Sequence, residues 1–260
     1  MLGCIIQARM GSTRLPGKVM EILDGKNPSI FYTINQLRSC KLIDKIIVAT
    51  TTNSEDDVIE NFVTSLGVDV FRGESDNVLS RYYYCAKKYS LSSILRVTAD
   101  CPLIDPLIVD KGISLFLQND YDYVTNTFPR TFPDGNETEI FSFKSLQIAY
   151  DNAILPSEQE HVTPYFRNNK NKFSILNFTH DVDISNLRWT LDYEVDLKLI
   201  KTIIMKIQKR PIHLSHILSI LSDNPSLIEI NKNHAPNEGY QKSLKQDKEF
   251  LKNLKPNKNK

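Results

Sequence analysis

The segment LGCIIQARMGSTRLPGK, residues 2–18, decides the fold of this chain. Its first part, Leu2 to Ile6, is an apolar run that is long enough for a buried strand and too short for a helix. The part from Ala8 to Gly17 is rich in Gly, Ser and Pro and therefore predicts a loop. We interpret this strand and loop as the first unit of a repeated β-α alternation.

The next eighty residues continue that alternation. Apolar runs predict further strands at 46–48, 68–71 and 94–97. Helical patterns alternate with them, from Pro28 onward, from a capping-box-like start at Ser54 to Gly67, and over 77–89. We therefore expect an α/β fold with a mostly parallel sheet covered by helices on both faces. Ligands of such sheets bind beyond the carboxyl ends of the strands, so the loops at 7–18, 72–81 and 99–105 should converge.

The second half of the chain follows a different pattern. The segment 121–142 begins with a strand pattern and continues with two prolines and an Asp-Gly turn, which predicts an inserted flap. Strands are expected at 173–178 and 187–191, and a helix at 195–207. We assign residues 1–230 to one domain and residues 231–260 to a basic C-terminal tail.

The composition argues against several classes of protein. The chain has 260 residues, 41% of them hydrophobic, and a formal net charge of +1. This charge argues against a nucleic-acid binder, although the tail carries about five excess positive charges and the body about four negative ones. The four cysteines form no C-x-x-C pair, and no apolar run is long enough for a membrane helix. We expect a reduced, cytoplasmic protein without a membrane span.

The loop after the first strand carries three cations, Arg9, Arg14 and Lys18, and two hydroxyls, Ser12 and Thr13. Fixed cations and exposed backbone N–H groups near glycine are what a polyphosphate needs. The spacing fits neither a Walker A loop nor a G-x-G-x-x-G dinucleotide fingerprint. The alternative is a surface turn with scattered charges.

Aspartates follow two predicted strands that are distant in sequence. Asp100 comes after the strand at 94–97, and Asp192 follows the strand at 187–191, with Asp196 one helical turn further. Mg²⁺ is commonly held by one or two carboxylates plus phosphate oxygens, so these side chains are candidate metal ligands. A capping or turn role is the alternative for Asp100, and a favourable interaction with the helix dipole is the alternative for Asp192 and Asp196. Asp105 before Pro106 is a predicted N-cap.

Eight segments together make the chain resemble the SpsF-like branch of the cytidylyltransferases, which is related to CMP-Kdo and CMP-sialic acid synthetases. The segments are QARMGSTRLPGK (7–18), IIVATT (46–51), RGESDNVLSRY (72–82), RVTADCPLIDP (96–106), DYVTN (122–126), EHVTPY (160–165), LRWTLDYEVD (187–196) and NEGYQKSL (237–244). The resemblance implies a Rossmann-like nucleotidyltransferase (GT-A-like) three-layer fold. It also implies an Mg²⁺-dependent attack of an acidic-sugar oxygen on the α-phosphate of CTP, with release of pyrophosphate, for surface polysaccharide biosynthesis.

The resemblance also implies roles for individual residues. Those that would bind the nucleotide are Ala8, Arg9, Gly11, Ser12, Arg14 and Lys18 at the triphosphate, and Arg72, Asp76 and Arg81 near the cytidine. Asp100 and Asp192 would ligate Mg²⁺, with Asp196 as an auxiliary ligand, and Arg9, Lys18 and Asp100 would serve catalysis. Glu139 in the flap and His161, the candidate base, would line the acceptor pocket and a possible homodimer interface.

One position departs from the family pattern. Tyr193 stands where relatives usually have proline or an acidic residue after the aspartate, whereas both aspartates of the motif are kept. Two other functions remain as alternatives. A glycosyltransferase with a nucleotide-sugar donor would usually carry an Asp-x-Asp motif, whereas this chain has Asp-Cys-Pro at the strand end. A nucleotide-binding protein without catalysis would not need both Asp100 and Asp192.

Overall fold

The computed structural model describes residues 1–234 and 238–254, and a seven-stranded sheet lies at its centre. The strands lie in the order β3-β2-β1-β4-β6-β5-β7. Their bounds are β1 Leu2–Gln7, β2 Lys45–Thr51, β3 Asp69–Gly73, β4 Ser93–Thr98, β5 Tyr123–Thr125, β6 Glu139–Ser142 and β7 Ile175–Asn177. Strand β6 pairs antiparallel with both of its neighbours, and all other pairs are parallel. The predicted α/β class and mostly parallel sheet are confirmed.

Helices cover both faces of the sheet. The helices are α1 Ser29–Arg38, α2 Asp57–Ser65, α3 Val78–Lys88, α4 Pro106–Leu117, α5 Phe143–Asn152, α6 Pro156–His161, α7 Pro164–Asn168, α8 Glu194–Lys206, α9 Leu214–Asp223 and α10 Glu238–Leu254. Alternate residues of β1 belong to different cores: Cys4 and Ile6 pack with α1, α2, α4, α8 and α9, whereas Ile5 packs with α3, α5 and α7. Because side chains of a strand alternate between faces, these two cores are the interfaces of a three-layer fold.

Local capping explains where several helices begin. Asn77 accepts a hydrogen bond from Ser80 N and begins α3, and the predicted N-cap Asp105 accepts one from Leu107 N at the start of α4. Gly67, which has a φ of 69°, follows the end of α2. The capping box expected at Ser54 is wrong, because a short 3₁₀ helix, Ser54–Asp56, precedes α2 without a side-chain cap.

The strand predicted at 187–191 is also wrong. This stretch makes a single bridge, between Arg188 and Asp134, and otherwise is held by isolated backbone bonds. One of them runs from Leu191 N to Asp100 O at 2.8 Å. The irregular segment therefore still brings Asp192 beside the end of β4, as a strand would have done.

The predicted flap and the predicted tail both pack against the rest of the fold. The ends of the predicted flap, β5 and β6, are strands of the central sheet, and residues 126–138 connect them. Within the predicted tail, α10 packs against α6, where Asp247 accepts a 2.9 Å hydrogen bond from Ser157 N. No helix in the described ranges is both long enough and apolar enough to cross a bilayer.

Candidate active site

The loop between β1 and the 3₁₀ helix Lys18–Met20 is held in a fixed shape by a buried carboxylate. Asp56 accepts hydrogen bonds from Met10 N at 2.7 Å and from Thr51 Oγ1 at 2.5 Å. The carbonyl of Met10 in turn accepts from Ser12 N and Gly17 N, which closes the loop on itself. Gly17 has a φ of 70°, a conformation that a residue with a Cβ adopts only under strain. The loop is thus set before any ligand binds.

A cavity of about 500 Å³, here called the larger cavity, opens beside this loop at the carboxyl ends of β1 and β4. Of the residues predicted to bind a nucleotide, those on its wall are Ala8, Arg9, Ser12, Arg14, Lys18 and Arg81. Arg81 is 1% exposed and donates to the Glu74 carbonyl, and burial lowers its pKa. The wall therefore combines loop cations with a buried guanidinium from α3.

Lys18 joins two aspartates that are 92 positions apart. Its Nζ lies 2.5 Å from Asp100 Oδ2 and 2.7 Å from Asp192 Oδ1. Burial opposes the charge of Lys18, but the two carboxylates outweigh it and raise the lysine pKa. Burial likewise raises the pKa of Asp100, and the Lys18 ammonium reverses this and lowers it to about 2. Lys18 and Asp100 are therefore both charged at neutral pH.

Arg188 holds the second aspartate from the opposite side. Its guanidinium donates to Asp192 at 2.8 Å, to Asp134 at 2.6 Å and to Asp196 at 3.2 Å. Arg14 also donates to Asp192 at 2.6 Å. Asp192 is thus fixed between three cations, with one carboxylate oxygen facing Lys18 and Arg14.

Asp196 does not reach the cavity, so its predicted role as a metal ligand is not supported. It is fully buried and accepts hydrogen bonds from the backbone N–H groups of Asp192 and Tyr193. It also accepts from Asn231 Nδ2 at 2.7 Å. These bonds make Asp196 a capping residue at the N-terminus of α8, where its negative charge also complements the helix dipole.

A second cavity of about 190 Å³, here called the smaller cavity, adjoins the first. The two share six residues of their walls, Arg14, Thr98, Asp100, His161, Glu238 and Gly239. The rest of the smaller cavity is dominated by charged side chains from separate elements, namely Arg96, Arg130, Asp134, Glu137, Glu139, Arg167, Arg188 and Asp192. The junction of the two cavities lies at Asp100.

Most charges of the smaller cavity are paired. Arg96 donates to Glu139 at 2.7 Å, and Tyr123 donates to the same carboxylate. Burial raises the pKa of Glu139, but Arg96, Arg167 and the hydrogen bond from Tyr123 together outweigh it, and the net pKa is lowered. Glu137 behaves in the opposite way: burial and the nearby Asp134 raise its pKa to about 8. The pKa values of these two carboxyls of the cavity wall are therefore shifted in opposite directions.

His161 lines both cavities at the end of α6. Its Nε2 lies 3.0 Å from Ser243 Oγ of α10, and Tyr240 packs edge-on against the ring at 5.4 Å. Burial is the largest cause that lowers its pKa to about 4. The imidazole is therefore neutral at pH 7, which makes it a hydrogen-bond acceptor and a weak base.

Three of the predicted nucleotide-binding residues lie away from the larger cavity. Arg72 donates to Asp57 at 2.6 Å, to Glu60 at 2.8 Å and to two backbone carbonyls, so it ties β3 to α2. Asp76 is exposed and outside the lining. Gly11 is exposed as well, and a Cβ built there would meet Glu55 Oε1 at 3.0 Å. The structure brings none of the three to the cavity wall.

Sequence reasoning missed the contribution of α10. Glu238, Gly239 and Lys242 line the larger cavity, and Tyr193 donates a hydrogen bond to Glu238. Tyr193 also lies beneath the Arg14 guanidinium, 5.6 Å from its carbon, so this unusual residue connects the loop to α10. The segment 237–244 resembles the usual ending of the family, and this resemblance is a sequence signal that could have placed α10 at the site.

Asp100 and Asp192 are the residues that fit a divalent cation. Because both carboxylates contact one ammonium nitrogen, they converge on one point where a cation is held. The residues 1–234 and 238–254 contain no group of three or more His, Cys, Asp or Glu side chains placed to hold a metal. Mg²⁺ accepts one or two carboxylates together with substrate phosphate oxygens, and this pair supplies that number.

Comparison with known proteins gives the same family as the sequence motifs. Residues 3–247 match the family model described as "Cytidylyltransferase". The chain is 32% identical over 231 residues to the spore coat polysaccharide biosynthesis protein SpsF of Bacillus subtilis, covering 85% of this chain and 94% of that protein.

Two other relatives extend the comparison. A solved cytidylyltransferase from Leptospira borgpetersenii superposes with a TM-score of 0.84 at 35% identity, covering 90% of this chain and 98% of the other. A 3-deoxy-manno-octulosonate cytidylyltransferase of Hydrogenovibrio crunogenus is 30% identical over 151 residues, 56% of this chain and 59% of that protein. The fold described above is therefore the fold of a solved nucleotidyltransferase of Rossmann-like type.

Proposed function

The chain belongs to the cytidylyltransferase family and is a CTP-dependent nucleotidyltransferase, and we propose that it transfers CMP from CTP to an acidic sugar for surface polysaccharide synthesis. Pyrophosphate is the second product. The observation that carries this proposal is the Lys18 ammonium between Asp100 and Asp192, at the junction of the two cavities. A site that joins two substrates needs charged groups at the point where they meet.

The larger cavity is the place for CTP. Arg9, Arg14 and Lys18 surround it with positive charge, and Lys242 adds a fourth cation from α10. Preorganised cations and N–H donors stabilise the charge that develops on phosphate oxygens during transfer. The base end lies toward Arg81, the one residue of the predicted cytidine set that lines the cavity. We therefore place the triphosphate along the loop and the cytosine near α3.

Asp100 and Asp192 would hold Mg²⁺ together with phosphate oxygens. When bound, Mg²⁺ neutralises phosphate charge and lowers the pKa of an oxygen that it coordinates. Lys18 and Arg14, which contact these carboxylates, are two of the cations that would bind the triphosphate. Arg188 keeps Asp192 in place throughout, because it contacts the carboxylate from the protein interior.

The smaller cavity is the place for the acceptor. Arg167 lines the smaller cavity, where its positive charge helps to lower the pKa of Glu139 and its guanidinium packs over Tyr240 at 5.2 Å. An arginine of this kind is suited to bind a substrate carboxylate in a bidentate manner. One relative is named for an acidic sugar, 3-deoxy-manno-octulosonate, and another is named for polysaccharide biosynthesis, and both names support the proposal.

The test is an assay of pyrophosphate release. The protein is incubated with CTP, Mg²⁺ and each member of a panel of keto-sugar acids that includes 3-deoxy-manno-octulosonate and N-acetylneuraminate. We expect release with CTP and at least one acid, and much less with UTP. Absence of release with every acid, together with absence of CTP binding by calorimetry, would overturn the proposal. Sugar transfer from a nucleotide-sugar donor without use of CTP would favour a glycosyltransferase instead.

A further inference from the structure

A chain of three polar side chains connects α6 to α10 beside the two cavities. Ser243, 1% exposed, lies 2.5 Å from Glu160 Oε2, 3.0 Å from His161 Nε2 and 3.2 Å from the Gly239 carbonyl. Glu160 and His161 are adjacent in sequence at the end of α6, and both line the larger cavity. The mechanism described above gives no role to Ser243 or Glu160.

The single proton of the Ser243 hydroxyl decides how this chain is bonded. It has two certain acceptors, the Glu160 carboxylate and the Gly239 carbonyl. The bond to the carboxylate is shorter by 0.7 Å and is charge-assisted, so Ser243 donates to Glu160. Because the one hydroxyl proton of Ser243 is directed at Glu160, the Ser243 oxygen is left as an acceptor toward the histidine.

The bond between His161 and Ser243 then fixes the histidine tautomer. Because Ser243 Oγ accepts, His161 Nε2 must carry the proton, and in a neutral ring Nδ1 is the unprotonated nitrogen. The charged groups around the ring agree with neutrality. Burial lowers its pKa most, Arg96 and Arg167 lower it further, and Glu160 and Glu139 oppose them without restoring the ordinary value.

We propose that Glu160 and Ser243 are positioning residues that hold His161 as the Nε2–H tautomer, so that Nδ1 accepts a hydrogen bond from the hydroxyl of the acceptor sugar. The acceptor part rests on the proposed function, whereas the tautomer is a property of the protein alone. His161 lies on the wall that the two cavities share, where the hydroxyl must approach the nucleotide. A fixed acceptor nitrogen orients that hydroxyl before reaction.

The tautomer is measured directly by long-range ¹H–¹⁵N NMR of protein labelled with ¹⁵N-histidine, at pH 7 without ligand. The chain has five histidines, and loss of one signal in His161→Gln assigns the ring. We expect a single Nε2–H tautomer in the wild type and in Ser243→Thr, which keeps the hydroxyl. Ser243→Ala and Glu160→Ala should give a mixture of the two neutral tautomers. Gln246→Ala, an exposed position on α10, is the matched control and should match the wild type.

A wild-type ring that is protonated at pH 7, or that carries its proton on Nδ1, would overturn the proposal even if every variant failed to fold. An unchanged tautomer in Ser243→Ala would overturn it as well. In the pyrophosphate assay, Ser243→Ala should lower kcat/KM for the sugar acid about tenfold with the Kd for CTP unchanged, and Ser243→Thr should restore it. An equal loss of CTP affinity would contradict the acceptor role. If no acid is turned over, the proposed function fails while the NMR result stands.

Discussion

The two cavities differ in how the chain builds them. The larger cavity takes most of its cations from one continuous loop, residues 9–18, which is shaped by Asp56 and Gly17. The smaller cavity is assembled from side chains that come from β4, β6, α7 and the irregular segments around 130 and 188. A contiguous motif can therefore define a phosphate site, whereas a sugar site of this kind needs the whole fold.

The charges of the two cavities differ as well. In the larger cavity Arg9 and Lys242 are exposed and available to a ligand, whereas in the smaller cavity Arg96, Arg130 and Arg188 are held in ion pairs with carboxylates. We infer that the larger cavity attracts a polyanion by net charge and that the smaller one selects by geometry. Substitutions that act on one cavity alone can test this difference.

The largest effect is expected at the junction, where one change should disable both cavities at once. Asp100→Asn removes a carboxylate that pairs with Lys18 and that would hold Mg²⁺. We expect kcat to fall by about 10³-fold, the scale of losing one major electrostatic group in an active site. Pyrophosphate release measures this, and circular dichroism confirms the fold. Turnover within tenfold of the wild type would show that Asp100 has no major role in the reaction.

A pair of arginine substitutions should separate the two cavities. Arg9→Gln removes an exposed cation of the larger cavity and should raise KM for CTP about tenfold, or about 1.4 kcal/mol, with little change for the acceptor. Arg167→Gln should have the reverse effect, because Arg167 lines the smaller cavity alone. Steady-state kinetics with each substrate varied in turn give both values. If both variants raise the same KM, the two cavities are not separate substrate sites.

The free energy of unfolding of the protein should depend on pH through Glu137, which lines the smaller cavity. The folded-state pKa of Glu137 is raised to about 8 from the usual 4.5, so the folded protein binds more protons than the unfolded chain between these pH values. The free energy of unfolding should therefore fall as the pH rises from about 4.5 to about 8. Glu137→Gln should remove at least about 1 kcal/mol of that fall, since each unit of pKa shift corresponds to about 1.4 kcal/mol. Urea unfolding of the wild type and of Glu137→Gln at pH 5 and pH 8 measures this difference. An equal change in the free energy of unfolding between the two pH values in both proteins would contradict the prediction.

The smallest functional effect is expected at Arg72, which belongs to neither cavity. Arg72→Gln should leave the Kd for CTP within about twofold. It should lower stability by about 1–2 kcal/mol, since it loses two partly exposed ion pairs and two bonds to backbone carbonyls. Calorimetry and urea unfolding give the two values. A tenfold loss of CTP affinity would restore Arg72 to the nucleotide site.

The fold was predictable wherever hydrophobic pattern and local capping agree. The strands β1 to β4 and helices α1, α3 and α8 lie within a few residues of their predicted positions, because each is a buried run or stripe with a clear boundary. The segment 187–191 looked like a strand because it is apolar, but its partners are single backbone groups of Asp134 and Asp100. Alternation of apolar residues cannot show whether a pairing partner exists.

The site was predictable where neighbours in space are neighbours in sequence. Arg9, Arg14 and Lys18 stand in one motif, and the resemblance joined them to Asp100 and Asp192. Arg167 belongs to no sequence motif that would indicate a binding role. It lines the smaller cavity because α7 packs against β6. Asp196 shows the opposite error: its spacing from Asp192 suggested a second ligand, but the capping bonds of α8 take up its carboxylate.

The most direct test of the central claim is a crystal structure of the protein with CTP and Mg²⁺. We expect the triphosphate to lie beside Arg9, Arg14 and Lys18, with the cytosine near Arg81. We expect Mg²⁺ on Asp100 and Asp192, and the smaller cavity should stay open for the acceptor. CTP bound outside the larger cavity, or Mg²⁺ held by other residues, would contradict the claim.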